Sequence, residues 1–508
     1  MNNRMNPSRG PSFVRMWWCA ALAALALLWT TPAVAQDDEY TDEEGRTVAE
    51  MPALPPPDTQ AGKQLAWILS VLNGAPLGGA AERFNERFLE QFTGDQLEKE
   101  LKSLRAGAFK NKTVDIVRVL GEGKDDSIEV VIRGKGTKRV LSLFLVTDEK
   151  NGKIAGLLFG PAGGFSDDGE EAEMADWDQY TGDMGEMKGS ASFGAYELVP
   201  RDKDKPAGPY LLSPIHEFGE DERLAIGSSF KLWILGALAE EVAAGRLAWD
   251  QPVTVRESFK SLPSGTMQLE PPGTPHPLAY FAAQMISISD NTATDHLLHL
   301  VGREKVEAYM ATVHSMPGLN KPMISTREMF TIKLSADRDL LERYASGDEL
   351  TRREMLAEGG EVYTGVPSII LASAWKKPVG VDRVEWFAGP HDCCRAMADL
   401  RRLEQLPGMA QLGAALRKNP GLPQKSGVWK SVGFKGGSEP GVMNLTFLLE
   451  RTDGRWFTLS AGWNDTMKPL EEIKLVEMAQ RGIDMLAGFE FKKDAEEPAV
   501  VPTAEKPW

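Results

Sequence analysis

The sequence predicts two globular domains, a small α+β domain followed by a larger domain that contains both helices and strands. The length of 508 residues, 42% of them hydrophobic, allows two hydrophobic cores, since one domain usually has about 100 to 200 residues. Residues 59–164 change from a helical to a strand-like hydrophobic period. An acidic segment at 165–173 then separates this region from residues 174–490.

Residues 1–35 have the features of a secretory signal peptide. A basic start is followed by an apolar run at 16–29 and a small-x-small cleavage pattern at 33–35. The apolar run is shorter than the roughly 20 residues of a spanning helix, which favours cleavage over a membrane anchor. We therefore predict an exported protein, periplasmic or secreted, with no transmembrane segment in its mature chain. Residues 36–58 are an acidic and proline-rich linker.

Charge and cysteine content narrow the possible partners and cofactors. The chain has 57 Lys and Arg against 73 Asp and Glu, so a nucleic-acid partner is not expected. Cys393 and Cys394 are adjacent, and two unpaired thiols are favoured over a strained vicinal disulfide. His296 and His299 have no recognised third ligand, which favours helix packing over a metal site. We predict no metal and no cofactor.

The small domain is predicted from its hydrophobic periods. The expected elements are helices at 65–72, 81–92 and 96–104, and strands at 114–120, 127–132, 139–146 and 154–159. Helices followed by strands with short turns describe an α+β domain with an antiparallel meander. No acid and base pair stands out in this region, so we interpret it as a packing or substrate-shaping module.

The larger domain also has segments with the hydrophobic pattern of strands and of helices. The expected elements are strands at 191–198, 442–449 and 456–461, and helices at 232–238, 297–309 and 470–486. The last two strands form a hairpin around Thr452-Asp453-Gly454. Residues 491–508 are a polar tail that we expect to be disordered.

Ser228 and Lys231 form an S-x-x-K motif where the first helix of the larger domain begins. A serine hydroxyl needs a base to become a nucleophile, and a lysine three residues later lies on the same helical face. Burial that removes the proton from Lys231 would let it accept the serine proton. The motif alone is not specific, because Ser373 and Lys376 form a second copy.

Two further motifs follow in an order that supports Ser228. Ser289-Asp290-Asn291 precedes a predicted helix, and Lys435-Gly436-Gly437-Ser438 leads into the hairpin. Ser373 follows the S-D-N motif and is therefore out of order. With the order S-x-x-K, S-D-N and K-x-G, residues from about 170 to 490 resemble the superfamily of class A β-lactamases and penicillin-binding proteins.

The resemblance implies a β-lactamase/transpeptidase-like α/β fold, in which helices flank an antiparallel sheet, and an acyl-serine mechanism. Ser228 would attack an amide or ester carbonyl, and Lys231 would take part in the proton transfer. Ser289 would relay a proton to the leaving group, and Lys435 would supply positive potential.

The resemblance also implies a set of substrate-binding residues. Asn291 would hold the amide side chain of the substrate, and Gly437 would let its strand approach the acyl group closely. The backbone N–H groups of Ser228 and Ser438 would form the oxyanion hole.

Two departures from the family pattern affect the predicted activity. Gly436 stands where the family has a residue whose hydroxyl binds the substrate carboxylate. The hydroxyl of Ser438 can substitute for it. Lys425-Ser426-Gly427 is an alternative K-x-G motif that has the usual hydroxyl residue. No E-x-x-x-N motif follows Asn291, so the base for deacylation cannot be placed. Glu328 is interpreted as a helix-capping residue instead of that base. We therefore expect weak deacylation.

The interval between Ser289 and Lys435 is longer than in the family and indicates an insertion at about 358–402. Its aromatic residues, including Trp386 and Phe387, either pack in the core or form a wall beside the active site. We expect the small domain to cover the apolar surface that they add.

The leading hypothesis is an exported serine hydrolase of the class A type that acts on β-lactams or related esters and amides. The alternatives are a D-alanyl-D-alanine peptidase or esterase and a β-lactam-binding protein without turnover. The two-domain plan also resembles the β-lactamase-like proteins of clavulanic acid biosynthesis, and this resemblance implies an NTF2 or steroid isomerase-like fold for residues 59–164. The predicted partner is a small molecule.

Overall fold

The structure, a computed structural model, describes residues 52–490 except 90–93, 108, 123–126, 137–139, 149–150, 162–176, 203, 206, 336, 358–374 and 423–426. The predicted signal peptide, residues 36–51 of the first linker, the 165–173 linker and the 491–508 tail lie outside the described residues. Ser373, Lys425 and Ser426 lie outside them too.

The described N-terminal region begins with helices. They are Gln60–Leu72 (α1), Ala80–Arg83 (α2), Glu86–Leu89 (α3) and Gly94–Gly107 (α4). Thr59 caps α1, because its Oγ1 accepts a hydrogen bond from Gly62 N at 3.0 Å. The single helix expected at 81–92 is wrong. The chain instead leaves the helix at Asn85, whose backbone N–H donates to Ile154 O at 3.0 Å.

An antiparallel sheet with the strand order β1-β2-β3-β4 follows these helices. Its strands are Val114–Glu122 (β1), Ser127–Gly134 (β2), Val140–Thr147 (β3) and Ile154–Pro161 (β4). Helix α1 packs on the sheet through Leu65, Ile68 and Leu72, which are fully buried. The region is thus α+β with an antiparallel meander, as the hydrophobic periods predict, and its likeness to an NTF2-type cone stays a prediction.

A second antiparallel sheet forms the centre of the C-terminal region, with the strand order β11-β12-β13-β5-β6. Its strands are Ser190–Pro200 (β5), Tyr210–Phe218 (β6), Trp429–Glu439 (β11), Val442–Arg451 (β12) and Trp456–Asn464 (β13). Two short pairs lie outside it: Leu224–Ala225 (β7) with Phe387–Ala388 (β10), and Pro252–Thr254 (β8) with Pro275–Pro277 (β9). Strand β11 is an edge strand.

Helices cover both faces of this sheet. The described helices are Trp177–Gly185 (α5), Lys231–Ala243 (α6), Leu278–Ser287 (α7), Asn291–Val301 (α8), Arg303–Val313 (α9), Thr326–Leu334 (α10), Arg338–Ser346 (α11), Glu349–Leu356 (α12), Pro390–Glu404 (α13), Ala410–Leu416 (α14) and Glu472–Ala487 (α15). Helix α13 contributes to one core with α6 to α9, and α15 contributes to the core on the opposite face. Helix α15 also contacts β4 of the N-terminal region.

Two expectations for the larger domain are wrong. The helix expected at 297–309 is divided into α8 and α9, because Gly302 lies between them with φ of 95°. Trp386 is covered by the core of its own domain, where its ring stacks on Phe230 with centroids 3.7 Å apart. Phe387 packs with Ala225 of the same domain. The small domain is therefore not needed to cover these two aromatic side chains.

Candidate active site

Ser228 lies in a tight turn immediately before helix α6. The turn, Gly227–Phe230, is a 3-10 helix, and α6 continues it from Lys231. Gly227 has φ of 48°, in the left-handed region that favours glycine. Ser228 is half-buried, whereas Gly227 and Ser229 beside it are buried. Ser228 is thus the residue of this turn that remains accessible to a substrate.

Lys231 is fully buried and donates three hydrogen bonds within the site. Its Nζ donates to Asn291 Oδ1 at 2.7 Å, to Ser289 O at 2.7 Å and to Ser289 Oγ at 3.0 Å. The structure therefore brings the S-x-x-K and S-D-N motifs together around one amine.

The pKa of Lys231 is suited to proton transfer near neutral pH. Burial lowers this pKa from 10.5 to about 7, although Asp290 and Asp295 oppose the shift. A lysine with such a pKa is partly neutral at pH 7, and the neutral amine can accept a proton. Among the described residues, no carboxylate lies within hydrogen-bonding distance of Lys231 Nζ.

Ser289 connects the two lysines of the site. Besides the bond from Lys231, its Oγ accepts a hydrogen bond from Lys435 Nζ at 3.1 Å. Ser289 has φ of 57°, which is uncommon for a residue other than glycine, and in this conformation both its carbonyl and its hydroxyl oxygen accept from Lys231. Burial and the nearby Lys231 lower the pKa of Lys435 well below its usual range.

Asp290 anchors the loop beside the site, a role that the sequence analysis missed. Its Oδ1 accepts from Ala293 N at 2.8 Å and caps α8, while its Oδ2 accepts from Thr266 N at 2.7 Å and Met267 N at 2.9 Å. The available signal was an Asp in the segment that precedes a predicted helix, since Asp is a common capping residue.

Asn291 is held by the same loop. Its Nδ2 donates to Leu262 O at 3.1 Å, and its Oδ1 accepts from Lys231. Both ends of the Asn291 amide are therefore already engaged. A substrate that used this amide would have to share these bonds.

Gly437 allows strand β11 to approach the Ser228 turn. A Cβ atom on Gly437 would lie 2.1 Å from Ile226 O and 2.4 Å from Ser228 N. A Cβ on Gly227 would in turn lie 3.1 Å from Ser438 N. The backbone nitrogen atoms of Ser228 and Ser438 thus lie on two segments that touch each other.

The K-G-G-S segment differs from the family where Gly436 replaces a hydroxyl residue. A Cβ on Gly436 would lie 2.8 Å from Cζ of Phe434, so the phenyl ring lies beside the position of the missing side chain. Ser438 is exposed on the edge strand. Its hydroxyl is accessible to a ligand that lies along β11.

Glu328 caps α10, as the sequence analysis interpreted it. Its Oε2 accepts from Ser325 N at 2.7 Å, and its own N–H donates to Ser325 Oγ at 3.2 Å, which completes a capping box. Its Oε1 accepts from Arg303 Nη2 at 2.8 Å. These contacts confirm the capping interpretation.

The remaining candidate residues have structural contacts. Cys393 and Cys394 are free and buried thiols on α13. His296 Nε2 accepts from Arg256 N at 2.7 Å, and the ring of His299 stacks on Phe259 with centroids 4.1 Å apart. Within the described part of the chain, no group of three or more His, Cys, Asp or Glu side chains could hold a metal ion. No described helix is both long and apolar enough to span a membrane.

Comparison with known families agrees with this geometry. A family model described as the β-lactamase enzyme family matches residues 215–357, which include Ser228, Lys231, Ser289 and Asn291. Residues 215–357 are therefore similar in sequence to the β-lactamase enzyme family. A second model, described as the N-terminal part of the ORF 12 gene product, matches residues 56–121.

Solved structures similar to this chain include β-lactamases and PBP-A. A β-lactamase from Sphaerobacter thermophilus DSM 20745 is 19% identical, with a TM-score of 0.41, and the match covers 62% of this chain and 98% of that one. The structure of PBP-A is 15% identical, with a TM-score of 0.39 and coverage of 61% and 94%. A class A β-lactamase representative from Bacteroides cellulosilyticus DSM 14838 is 13% identical, with a TM-score of 0.40 and coverage of 61% and 96%. No curated protein matches the chain.

Proposed function

We propose that the chain is an exported serine hydrolase of the class A type, which forms an acyl-serine intermediate with β-lactams or related esters and amides. The observation that carries this proposal is the environment of Lys231. A fully buried amine with a pKa of about 7 begins the helix that follows Ser228 and contacts the S-D-N motif. Such an amine is a suitable base for a serine nucleophile.

Acylation would proceed through the two lysines and Ser289. Neutral Lys231 accepts the proton of Ser228 Oγ while that oxygen attacks the substrate carbonyl. The proton then passes through Ser289 Oγ, which lies 3.0 Å from Lys231 Nζ, to the leaving nitrogen or oxygen. Lys435, 3.1 Å from the same hydroxyl, stabilises negative charge on it.

The oxyanion of the tetrahedral intermediate would bind to backbone N–H groups. Those of Ser228 and Ser438 are the candidates, because Gly437 and Gly227 let their two segments touch. The substrate would lie along the exposed edge of β11, with Ser438 providing a hydroxyl in place of the one that Gly436 lacks.

The second candidate function, a β-lactam-binding protein without turnover, is favoured by one observation. Hydrolysis of the acyl-serine needs a base that activates a water molecule. Among the described residues, no carboxylate lies within hydrogen-bonding distance of Lys231 Nζ to act as this base. Glu328, the residue closest to the expected pattern, is committed to a capping box and to Arg303. An acyl-enzyme that forms readily and decays slowly would fit both proposals.

Intact-protein mass spectrometry over time tests the proposed function. The protein is incubated with a penicillin, a cephalosporin and a fluorescent penicillin, and the mass of the adduct is followed. A transient adduct with product release supports a hydrolase, and a persistent adduct supports the binding protein. Absence of any adduct or product with all three compounds, and with simple aryl esters, would reject the acyl-serine proposal.

Export is proposed from the N-terminal sequence alone. The basic start, the apolar run at 16–29 and the pattern at 33–35 support removal of a signal peptide. Expression of the full chain in a bacterial host, followed by cell fractionation and N-terminal sequencing, checks this. A mature protein that starts near residue 36 in the periplasm or medium is expected, and an uncleaved cytoplasmic chain would contradict export.

A further inference from the structure

A buried cluster of charged residues lies beyond the residues assigned to the reaction. Lys333 Nζ on helix α10 donates to Glu385 Oε1 and to Glu439 Oε1. The side chains of Lys333 and Glu385 are fully inaccessible, and that of Glu439 is 5% exposed. Glu439 Oε2 is buried without a hydrogen-bond partner in the described part of the chain. Removing these charges from water costs free energy that their mutual attraction does not always offset, so a buried ion pair of this kind suggests a role beyond stability.

Glu439 connects the cluster to the edge strand. It directly follows Ser438 on β11, and it lies on the same strand face as Lys435 and Gly437, because side chains alternate along a strand. Lys435 points from this face to Ser289, and Gly437 lies against the backbone of Ser228. Glu439 is therefore the next side chain along the face that touches the active site.

Glu385 connects the cluster to the other side of the Ser228 turn. It directly precedes Trp386, whose carbonyl oxygen accepts a hydrogen bond from Ile226 N at 2.9 Å. The ring of Trp386 stacks on Phe230 at the other end of the turn. The turn that carries Ser228 is thus held between the segment after Glu385 and the segment before Glu439.

The charges of the cluster favour a closed, neutral arrangement. One lysine faces two carboxyl groups, and full ionisation would leave one uncompensated negative charge away from water. Burial and the adjacent Glu385 raise the pKa of Glu439 well above its usual range. Burial thus favours an arrangement in which one of the two carboxyl groups is protonated and the cluster joins three segments without net charge.

We propose that Lys333, Glu385 and Glu439 are positioning residues that hold β11 against the Ser228 turn. Their role is to fix the spacing between the backbone N–H groups of Ser228 and Ser438, and the inference rests on the proposed acyl-serine function. Opening the cluster lets the edge strand move, and a misplaced oxyanion donor lowers the rate of the chemical step more than it weakens binding.

Lys333→Met is the first test, with Arg451→Met as its matched control. Arg451 is also a buried cation with two carboxylate partners, Asp453 and Glu490, but these contacts lie at the other end of β12. We expect Lys333→Met to slow acylation by up to about 100-fold, which is the effect of losing one oxyanion donor, with little change in the substrate dissociation constant. Arg451→Met should lower the melting temperature and leave the acylation rate within about twofold, because surface and distant changes act independently of the site.

Glu439 variants keep the proposal testable when Lys333→Met does not fold. Glu439→Ala should slow acylation as Lys333→Met does, and Glu439→Gln should recover most of the lost rate, because the amide can still accept from Lys333. Equal rates in Glu439→Ala and the wild type would overturn the positioning role. Rapid acylation of Glu439→Gln with an acyl-enzyme that persists much longer than that of the wild type would also overturn it, since Glu439 would then act on the hydrolytic water.

Hydrogen exchange measured by mass spectrometry separates this inference from the proposed function. Faster exchange in peptides that cover 429–439 of Lys333→Met, with no such change in Arg451→Met, supports the cluster as the element that holds β11. Unchanged exchange in these peptides would reject the inference, whether or not the wild type is acylated. Failure of the wild type to acylate would reject the proposed function alone.

Discussion

The two antiparallel sheets of the chain differ in what is buried around them. The described N-terminal region buries mainly aliphatic and aromatic side chains, and its buried polar residues are Gln64, Arg133 and Thr147. The β-lactamase-like domain buries many more polar groups, among them Lys231, Asp290, Asn291, Asp295, Lys333 and Lys435.

The two regions differ in how many charged groups they remove from water. A buried lysine or carboxylate destabilises a fold unless it is paired or hydrogen-bonded, and perturbed groups of this kind gather at functional sites. The larger domain accommodates two such groups, Lys231 and Lys435, within hydrogen-bonding distance of Ser289. Chemistry is therefore expected in the larger domain, and packing or substrate shaping in the smaller one. Four predictions test that division.

The largest expected effect is that of Ser228→Ala. Because Ser228 provides the only nucleophile in the proposed mechanism, labelling by a fluorescent penicillin should fall by at least about 1000-fold. The melting temperature should change little, because the residue is half-buried and the substitution removes one oxygen. Ser373→Ala is the control. Labelling that survives in Ser228→Ala and is lost in Ser373→Ala would move the site to the second S-x-x-K motif.

Gly437→Ala should have the next largest effect. The new methyl group would meet Ile226 O and Ser228 N at distances far below van der Waals contact, so β11 must move away from the turn. We expect acylation to slow by about 100-fold and the protein to lose stability. Gly433→Ala on the same strand is the matched control, since its Cβ meets no atom closer than 3.5 Å. Similar rates for both variants would contradict the close approach.

The acylation rate should depend on the protonation of Lys231. The neutral amine is the reactive form, and the pKa of about 7 means that this form increases as pH rises through neutrality. The rate measured by stopped flow should therefore increase about tenfold per pH unit below pH 7 and level off above it. Lys231→Arg should remove this dependence together with most of the rate. A flat profile in the wild type between about pH 5 and pH 8 would exclude Lys231 as the base.

The smallest effect on activity is expected from cutting the chain between its domains. Helix α15 contacts β4, so the two pieces should remain associated on size exclusion after proteolysis within residues 162–176, with acylation nearly unchanged. Complete separation of the pieces would show that this contact is too weak to join them. A large loss of acylation after separation would show that the small domain contributes to the substrate site. The assignment of the reaction to the larger domain alone would then be wrong.

Most elements of both sheets could be predicted because local hydrophobic periods determine them. The strand expected at 442–449 is observed as Val442–Arg451, and the meander of the small domain is observed in full. The helix expected at 81–92 was wrong because a distant backbone pairing, that of Asn85 with Ile154, interrupts it. No local pattern contains information about such a contact.

The candidate site shows the same limit. Motif order alone predicted that Ser228, Lys231 and Ser289 would converge, and the three motifs do lie together. The cluster of Lys333, Glu385 and Glu439 could not be predicted, because its members come from three distant segments without a characteristic spacing. The expectation that the small domain covers Trp386 was wrong for a related reason, since its partner Phe230 in the same domain lies far away in sequence.

Ser289 has a further consequence for the evolution of the chain. Its left-handed backbone conformation costs a residue with a side chain about 1 kcal/mol or more relative to glycine. Glycine would relieve that cost but would lack the hydroxyl that both lysines contact. A chain selected for thermal stability alone would be expected to lose this serine. In the proposed mechanism, Ser289 thus lowers the stability of the fold and provides a hydroxyl for the reaction. Laboratory evolution for heat resistance, without selection for activity, should therefore replace Ser289 among its first substitutions.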